Sequence, residues 1–218
     1  MLPVGENFEP VCERIAAGLA EHSYAMVDLF LNKDDVESML MRIRTLFHQG
    51  DLKEAGIGKA GQFQVNKDVR KDKIHWVGPN EDLAATRLFT ARLRQLMQFI
   101  NRSCYLGLKD FEMHYTMYPK GAYYKRHLDQ FKTNDNRRLT FLCYLNEDWT
   151  EKDGGTLRLY TEDKQKREQA IDILPVAGRF VCFCSDLLEH EVLVCHRERY
   201  SLTGWLLNQS SELTFLKG

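Results

Sequence analysis

Residues 111–118 read FEMHYTMY, and apolar and polar side chains alternate along this segment. Phe111, Met113, Tyr115 and Met117 fall on one face of an extended chain, and the residues between them fall on the other. Such a period of two is typical of a half-buried β-strand.

The alternation continues toward the C-terminus in short runs that are separated by turn signals such as Asp153-Gly154-Gly155. Short strands between turns are typical of a sandwich, a jelly roll or a barrel. The predicted strands are Phe111–Tyr118, Tyr123–Asp129, Arg138–Leu145, Thr156–Tyr160, Ala170–Leu174, Arg179–Cys184, His190–Val194 and Arg199–Leu207.

The first half of the chain has the apolar period of helices instead. Apolar residues at helical spacing over residues 8–19, 36–47 and 83–100 predict three helices, the third from about Glu81 to Cys104. A short strand is predicted at Tyr24–Leu29, and a loop or flexible hairpin at Asp51–Asn66. Helices in one block and strands in another indicate an α+β or mainly β fold, with helices that buttress a barrel.

The length of 218 residues is typical of a single domain, which we expect to cover residues 1–218. Helical support is expected over about 1–105 and a strand core over about 106–208.

The charge balance argues against partners that bind through bulk charge. Lysine and arginine total 30, aspartate and glutamate total 31, and the formal net charge is −1. We therefore expect no nucleic acid and no membrane as partners. No apolar run is long enough to span a membrane and no signal peptide is visible. The six cysteines include no CxxC pair, which predicts reduced thiols in the cytoplasm.

Two histidines and a carboxylate have the composition of a metal site. His127 and Asp129 lie two residues apart on a predicted strand, so their side chains point to one face, and His190 begins a later strand. Two imidazoles and one carboxylate can occupy one face of an octahedral Fe(II) ion and leave three positions open. An HxD pair alone is a weak signal, since a strand histidine is more often a surface or hydrogen-bonded residue.

The last predicted strand strengthens this signal, because polar side chains share one of its faces. They are Arg199, Ser201, Thr203 and Trp205. Inside a barrel a guanidinium is costly without a partner. A dicarboxylate ligand would supply one, because a guanidinium fork binds a carboxylate through two hydrogen bonds. The alternative is an ion pair with Glu189 or Glu191.

Together these residues resemble the 2-oxoglutarate- and Fe(II)-dependent dioxygenases. More narrowly, the chain is similar to the prolyl hydroxylases that act on hypoxia-inducible transcription factors and to their bacterial relatives. This resemblance implies a double-stranded β-helix (jelly-roll, cupin-like) core with helices along the outside of its major sheet. Beyond the metal motif it is carried by Asp68–Trp76, Tyr118-Pro119, Tyr124–His127, Tyr144–Trp149, Gly154–Arg158 and Arg199–Trp205.

The resemblance also implies a role for each matching position. The positions that match the iron ligands are His127, Asp129 and His190. The positions that match the 2-oxoglutarate pocket are Tyr118, Tyr144, Arg199, Thr203 and Trp205, with Arg199 and Tyr144 on the distal carboxylate. The positions that match the substrate entrance and the loop that covers substrate are Arg70, Asp72, Trp76, Arg137 and Trp205.

The implied activity is prolyl 4-hydroxylation of a protein with Fe(II), 2-oxoglutarate and O2, releasing succinate and CO2, with ascorbate and a role in oxygen sensing also expected. The implied partner is a protein with an exposed prolyl loop, such as a transcription factor or an elongation factor, and we expect a monomer. The alternatives are a 2-oxoglutarate oxygenase that acts on a small molecule or nucleic acid, a catalytically silent sensor or binding module, and a zinc- or manganese-binding cupin.

Two features depart from the family pattern. Residues 51–65 are rich in glycine and lysine and differ from the loop of the animal enzymes, which puts the protein substrate in question. His114 stands where a non-ionisable side chain is expected.

Overall fold

The computed structural model describes residues 8–56, 66, 68–78, 81–130 and 136–209. Within these residues the helices are α1 (Glu9–His22), α2 (Lys33–Gln49) and α3 (Ala84–Cys104), with a short 3-10 turn at Glu151–Asp153. The strands are β1 (Tyr24–Val27), β2 (Lys53–Glu54), β3 (Lys73–Trp76), β4 (Asp110–Tyr118), β5 (Tyr124–His127), β6 (Arg137–Tyr144), β7 (Leu157–Glu162), β8 (Glu168–Ile173), β9 (Phe180–Cys184), β10 (His190–Val192) and β11 (Arg199–Leu207).

The strands form two antiparallel sheets. The major sheet has the order β1-β9-β6-β11-β4-β3-β2, and the minor sheet has the order β5-β10-β7-β8. The sheets pack face to face through apolar side chains. These are Leu142, Val181 and Phe183 from the major sheet and Leu157, Leu159 and Ile173 from the minor sheet. The two-layer architecture is the predicted jelly roll, and all eight strands predicted for the second half are present.

The helices cover the outer face of the major sheet. Met113, Tyr115 and Met117 of β4 pack in one apolar cluster with side chains of all three helices, such as Ile43 and Phe89. The residues between them face the minor sheet instead, because successive strand side chains point to opposite faces. The alternation in residues 111–118 thus separates a helix-facing side from a side that faces the interior of the jelly roll.

The helix ends follow local capping rules. Asn32 caps α2 by accepting a hydrogen bond from the backbone N–H of Asp35 at 2.8 Å, and Gly50 ends α2 in the left-handed conformation that glycine adopts without strain. The predicted start of α3 at Glu81 is wrong by three residues. The Glu81 carboxylate accepts a hydrogen bond from the Leu83 backbone, and the helix begins at Ala84.

Three further expectations need correction. The half assigned to helical support also contributes β2 and β3, which extend the major sheet beyond β4. Lys53–Glu54 pairs with β3, so the segment predicted as a loop or flexible hairpin at residues 51–66 contains a short strand, and residues 57–65 lie outside the described residues. Strand β5 ends at His127, so Asp129 lies just beyond the strand on which it was placed.

The six cysteines are free thiols, as expected. In the part of the chain that the structure describes, no helix is both long and apolar enough to cross a membrane.

Candidate active site

The predicted metal-binding residues come together between the sheets. His127 at the end of β5 lies opposite His190 at the start of β10. Asp129 reaches both imidazoles, with its Oδ1 3.5 Å from His127 Nε2 and its Oδ2 3.5 Å from His190 Nε2. One donor atom from each of the three residues lies within 4.8 Å of the others. This spacing lets three donors converge on a single ion.

Backbone carbonyls fix both imidazoles in the orientation that metal binding needs. His127 Nδ1 lies 2.7 Å from the Lys125 carbonyl oxygen, and His190 Nδ1 lies 3.2 Å from that of Leu188. Since a carbonyl only accepts, each Nδ1 carries the proton and each Nε2 keeps its lone pair for a metal. Burial lowers the pKa of His190 to about 4, so this imidazole is neutral at pH 7.

The carboxylate is held by two residues that the sequence did not identify. Thr140 Oγ1 donates a hydrogen bond to Asp129 Oδ2 at 2.8 Å, and Ser185 Oγ lies 2.9 Å from Thr140 Oγ1. Burial raises the pKa of Asp129, whereas the positive charge that the facing imidazoles carry when protonated lowers it well below the usual range. Thr140 could have been found as a polar residue on the inward face that also carries Tyr144, whereas nothing in the sequence marks Ser185.

The Arg199 side chain is fully buried, and its three guanidinium nitrogens have no hydrogen-bond partner among the described residues. The alternative pairings are wrong, because Glu189 pairs with Arg126 and Glu191 accepts a hydrogen bond from Tyr160. An unpaired buried cation costs several kcal/mol, so this arrangement calls for an anionic ligand.

Two tyrosines flank this guanidinium. Its carbon lies 5.0 Å from the ring centroid of Tyr118 and 4.9 Å from that of Tyr144. Burial raises the pKa of both hydroxyls, which therefore stay protonated. The Tyr144 hydroxyl is buried and lacks a partner within the described chain. A carboxylate here can accept from both the guanidinium fork and this hydroxyl.

Strand register explains why these groups meet. Arg199 of β11 lies opposite Tyr118 of β4, and Ser201 lies between Thr116 of β4 and Tyr144 of β6. Directly opposed residues project to the same side of a sheet. Gly155 leaves room for the arginine, since a Cβ at this residue, whose φ is +62°, would lie 2.9 Å from Arg199 Cδ.

Thr203 continues the same face, and its Oγ1 lies 3.1 Å from Ser201 Oγ. The predicted site residues other than Tyr144 line one cavity of about 1140 Å³. The three metal donors and the unpaired guanidinium of Arg199 therefore line the same cavity.

Aromatic and charged side chains form one wall of this cavity. The Arg137 guanidinium stacks 3.5 Å from the Trp205 ring centroid and pairs with Glu112 at 2.8 Å. Trp76 on β3 is half exposed, and its ring lies 6.3 Å from that of Trp205. The structure thus brings Trp76, Arg137 and Trp205 together.

Arg70 and Asp72 form a second pair beside the metal donors. Arg70 binds the buried Asp72 carboxylate through two hydrogen bonds of 2.7 and 2.6 Å. The same guanidinium lies 4.3 Å from the ring centroid of Tyr124, which stacks on His127 at 3.6 Å. Tyr124 was not identified from the sequence as a site residue, although it precedes His127 by three positions.

Comparison with known proteins agrees with this geometry. A family model described as the 2OG-Fe(II) oxygenase superfamily matches residues 113–207. The crystal structure of a prolyl-4-hydroxylase from Pseudomonas putida is 36% identical, covers 91% of this chain and 100% of its own, and superposes with a TM-score of 0.80. The chain belongs to the prolyl hydroxylases of the 2OG-Fe(II) oxygenase superfamily. This family uses Fe(II), 2-oxoglutarate and O2.

Curated prolyl hydroxylases give the same result. The hypoxia-inducible factor prolyl hydroxylase of Caenorhabditis elegans is 32% identical over 92% of this chain, and human Egl nine homolog 1 is 31% identical over 88%. The chain spans only 28% and 46% of the lengths of these two relatives. The converging donors fit Fe(II), and the unpartnered guanidinium fits the carboxylate of 2-oxoglutarate.

Proposed function

We propose that this chain is a prolyl 4-hydroxylase that acts on a protein substrate with Fe(II), 2-oxoglutarate and O2 and releases succinate and CO2. The observation that carries the proposal is the combination, in one cavity, of three converging metal donors and a buried arginine without a partner. His127, Asp129 and His190 would hold the iron. Bound Fe(II) and 2-oxoglutarate supply the activation of O2 and the oxidation of the C–H bond.

The chain's own contribution is to bind and orient the co-substrate. Arg199 and Tyr144 provide a guanidinium fork and a hydroxyl for the carboxylate farther from the metal. Tyr118 stays a neutral hydrogen-bonding group near the other end, and Thr203 extends the same polar face. These groups are already ordered by strand pairing, so little reorganisation is needed on binding.

The cavity also excludes water around the reacting atoms. Its walls include the buried apolar side chains Leu142, Leu157 and Val192. Shielding prevents reactive oxygen species from escaping to solvent and strengthens the interaction between Arg199 and a carboxylate. Water exclusion is thus a second task of the jelly-roll interior.

We propose that the substrate enters over Trp76, Arg137 and Trp205, beside the pair of Arg70 and Asp72. Protein substrates are favoured by the similarity to prolyl hydroxylases. A prolyl hydroxylase from Trichoplax adhaerens, 23% identical with a TM-score of 0.82, forms a complex with a hypoxia-inducible factor peptide fragment. We propose a protein with an exposed prolyl loop, either a transcription factor or a translation protein such as an elongation factor.

The experiment that tests the proposal compares the proteomes of a wild-type and a deletion strain by mass spectrometry, searching for prolines that have gained one oxygen atom. Purified protein is then assayed on the identified target for succinate and 4-hydroxyproline. Asp129→Ala should abolish both products. Asp172→Ala is the matched control, since this exposed carboxylate pairs with Arg158 on the minor sheet. Undiminished turnover by Asp129→Ala would contradict the assigned iron site.

A further inference from the structure

His114 is a buried polar residue of the cavity that the proposed chemistry does not use. It lies on β4 between Trp76 on β3 and Thr203 on β11, and it is 2% exposed. Its ring meets Trp76 edge to face at 5.0 Å and lies 5.6 Å from the ring of Trp205. A polar ring therefore stands in the wall that two tryptophans form at the entrance.

In the part of the chain that the structure describes, one nitrogen of this imidazole has a side-chain partner. His114 Nδ1 lies 2.8 Å from the Thr116 hydroxyl. Within the described ranges, Nε2 has no hydrogen-bond partner, although the residue lines the cavity. Because His114 lines the cavity, a ligand in the cavity can supply a partner to Nε2.

The imidazole is neutral. Burial and the charges of Arg70 and Arg137 together lower the pKa of His114 to about 3, and Asp72 only partly opposes them. A neutral imidazole carries one donor and one acceptor. The Thr116 hydroxyl can rotate to donate a hydrogen bond to Nδ1 or to accept one from it. Nε2 is then the donor in the first case and the acceptor in the second. A peptide group has both an N–H donor and a C=O acceptor, so it can form a hydrogen bond with either tautomer of the imidazole.

The position of His114 favours the substrate over 2-oxoglutarate. Thr203, its partner across β11, is four residues from Arg199, which corresponds to about 13 Å along a strand. His114 lies toward the half-exposed Trp76, on the entrance side of the carboxylate pocket.

We propose that His114 is a substrate-binding residue whose Nε2 forms a hydrogen bond with a backbone peptide group of the prolyl substrate as it passes between Trp76 and Trp205. This inference rests on the proposed function. It assigns a role to the position at which the chain departs from the family pattern.

Three variants separate the two nitrogens. His114→Gln places an amide near the position of Nε2, His114→Asn places one near Nδ1, and His114→Leu removes both. The probe is a library of synthetic peptides with one central proline and varied flanking residues, assayed by mass spectrometry. The KM is then measured for the peptide that the wild-type enzyme hydroxylates best.

We expect the peptide KM to rise about five- to tenfold in His114→Asn and His114→Leu, the effect of one lost hydrogen bond, and to stay near wild type in His114→Gln. The KM for 2-oxoglutarate should change by less than about twofold in all three variants. A residue that contacts only the peptide substrate affects only the KM for the peptide. A general loss of structure would move both constants.

Equal peptide KM values in the Gln, Asn and Leu variants would overturn the inference and leave the proposed function intact. Failure of the wild-type protein to hydroxylate any peptide or protein would overturn the proposed function, and this inference with it. If Asn does not fold, the comparison of Gln with Leu decides the question.

Discussion

Tyr124 and His127 stack nearly parallel, with ring centroids 3.6 Å apart and an angle of 18° between the rings. The Arg70 guanidinium lies 4.3 Å from the Tyr124 centroid and is itself anchored on the buried Asp72. A proposed iron ligand therefore belongs to a stack that continues into the segment beside residues 57–65. Packing of this kind restricts the rotamers of a ligand and pre-organises the metal site.

Removing the Tyr124 ring should weaken metal binding. We expect the apparent dissociation constant for Fe(II) to rise about tenfold in Tyr124→Leu, because supporting contacts around metal ligands are worth about that much. Tyr124→Phe keeps the stacked ring and should bind like wild type. Anaerobic titration with Fe(II) measures both variants, and equal constants for Leu and Phe would show that the stack has no such role.

Thr140 should be needed for the carboxylate ligand. Its hydroxyl donates to Asp129 at 2.8 Å, and Thr140→Val removes this donor with little change in shape. We expect the Val variant to lose about tenfold in iron affinity and Thr140→Ser to retain it. The same anaerobic titration applies. A Val variant that binds iron as tightly as the Ser variant would contradict the role of the hydroxyl.

Arg199 should lower the stability of the ligand-free protein and be required for binding of 2-oxoglutarate. Replacement of a buried, unpaired charge by an apolar side chain of similar length relieves its desolvation penalty. In Arg199→Met we expect the ligand-free protein to gain about 1–4 kcal/mol in its free energy of unfolding and to lose 2-oxoglutarate binding. Urea unfolding and calorimetry measure the two effects. A variant that still binds 2-oxoglutarate like wild type would refute the carboxylate pocket.

The buried histidines predict the acid response of the metal-free protein. The pKa of His114 is lowered from 6.5 to about 3, so below pH 6.5 the unfolded chain binds a proton that the folded chain excludes. The stabilising difference is complete above pH 6.5 and is lost as the pH falls. Between pH 7 and pH 5 wild type should therefore lose about 2 kcal/mol more stability than His114→Gln. Urea unfolding at both pH values tests this, and parallel losses in the two proteins would contradict it.

The sequence predicted most of the jelly-roll core because its strands have inward and outward faces of different chemistry. Tyr115 and Met117 face the helices while Thr116 and Tyr118 face the cavity, and this contrast is visible in the chain itself. The short strand β3 gives no such signal. It carries Lys73 and His75 among four residues, and it is a strand because β4 offers it an edge to pair with.

In the candidate site, too, some residues could be identified from the sequence and others could not. His127, Asp129, His190 and Arg199 could be identified because their residue types and strand positions allow a metal triad and a carboxylate partner, and the resemblance to a known family implied these roles. The supports of Asp129 come from long-range contacts, since Ser185 is 45 residues from Thr140. Nor does spacing reveal that the ionisable His114 is kept neutral, because burial and the charges of Arg70 and Arg137 are properties of the folded chain.

Prolyl hydroxylation is tested most directly by the product that the purified protein forms on its target. With Fe(II), 2-oxoglutarate and O2, the wild-type protein is expected to convert one prolyl residue to 4-hydroxyproline and to form succinate in equal amount, while Asp129→Ala forms neither. Mass spectrometry of the target and quantification of succinate give both readings from one reaction. Succinate without oxygen on proline, or oxygen on a different residue type, would contradict the account.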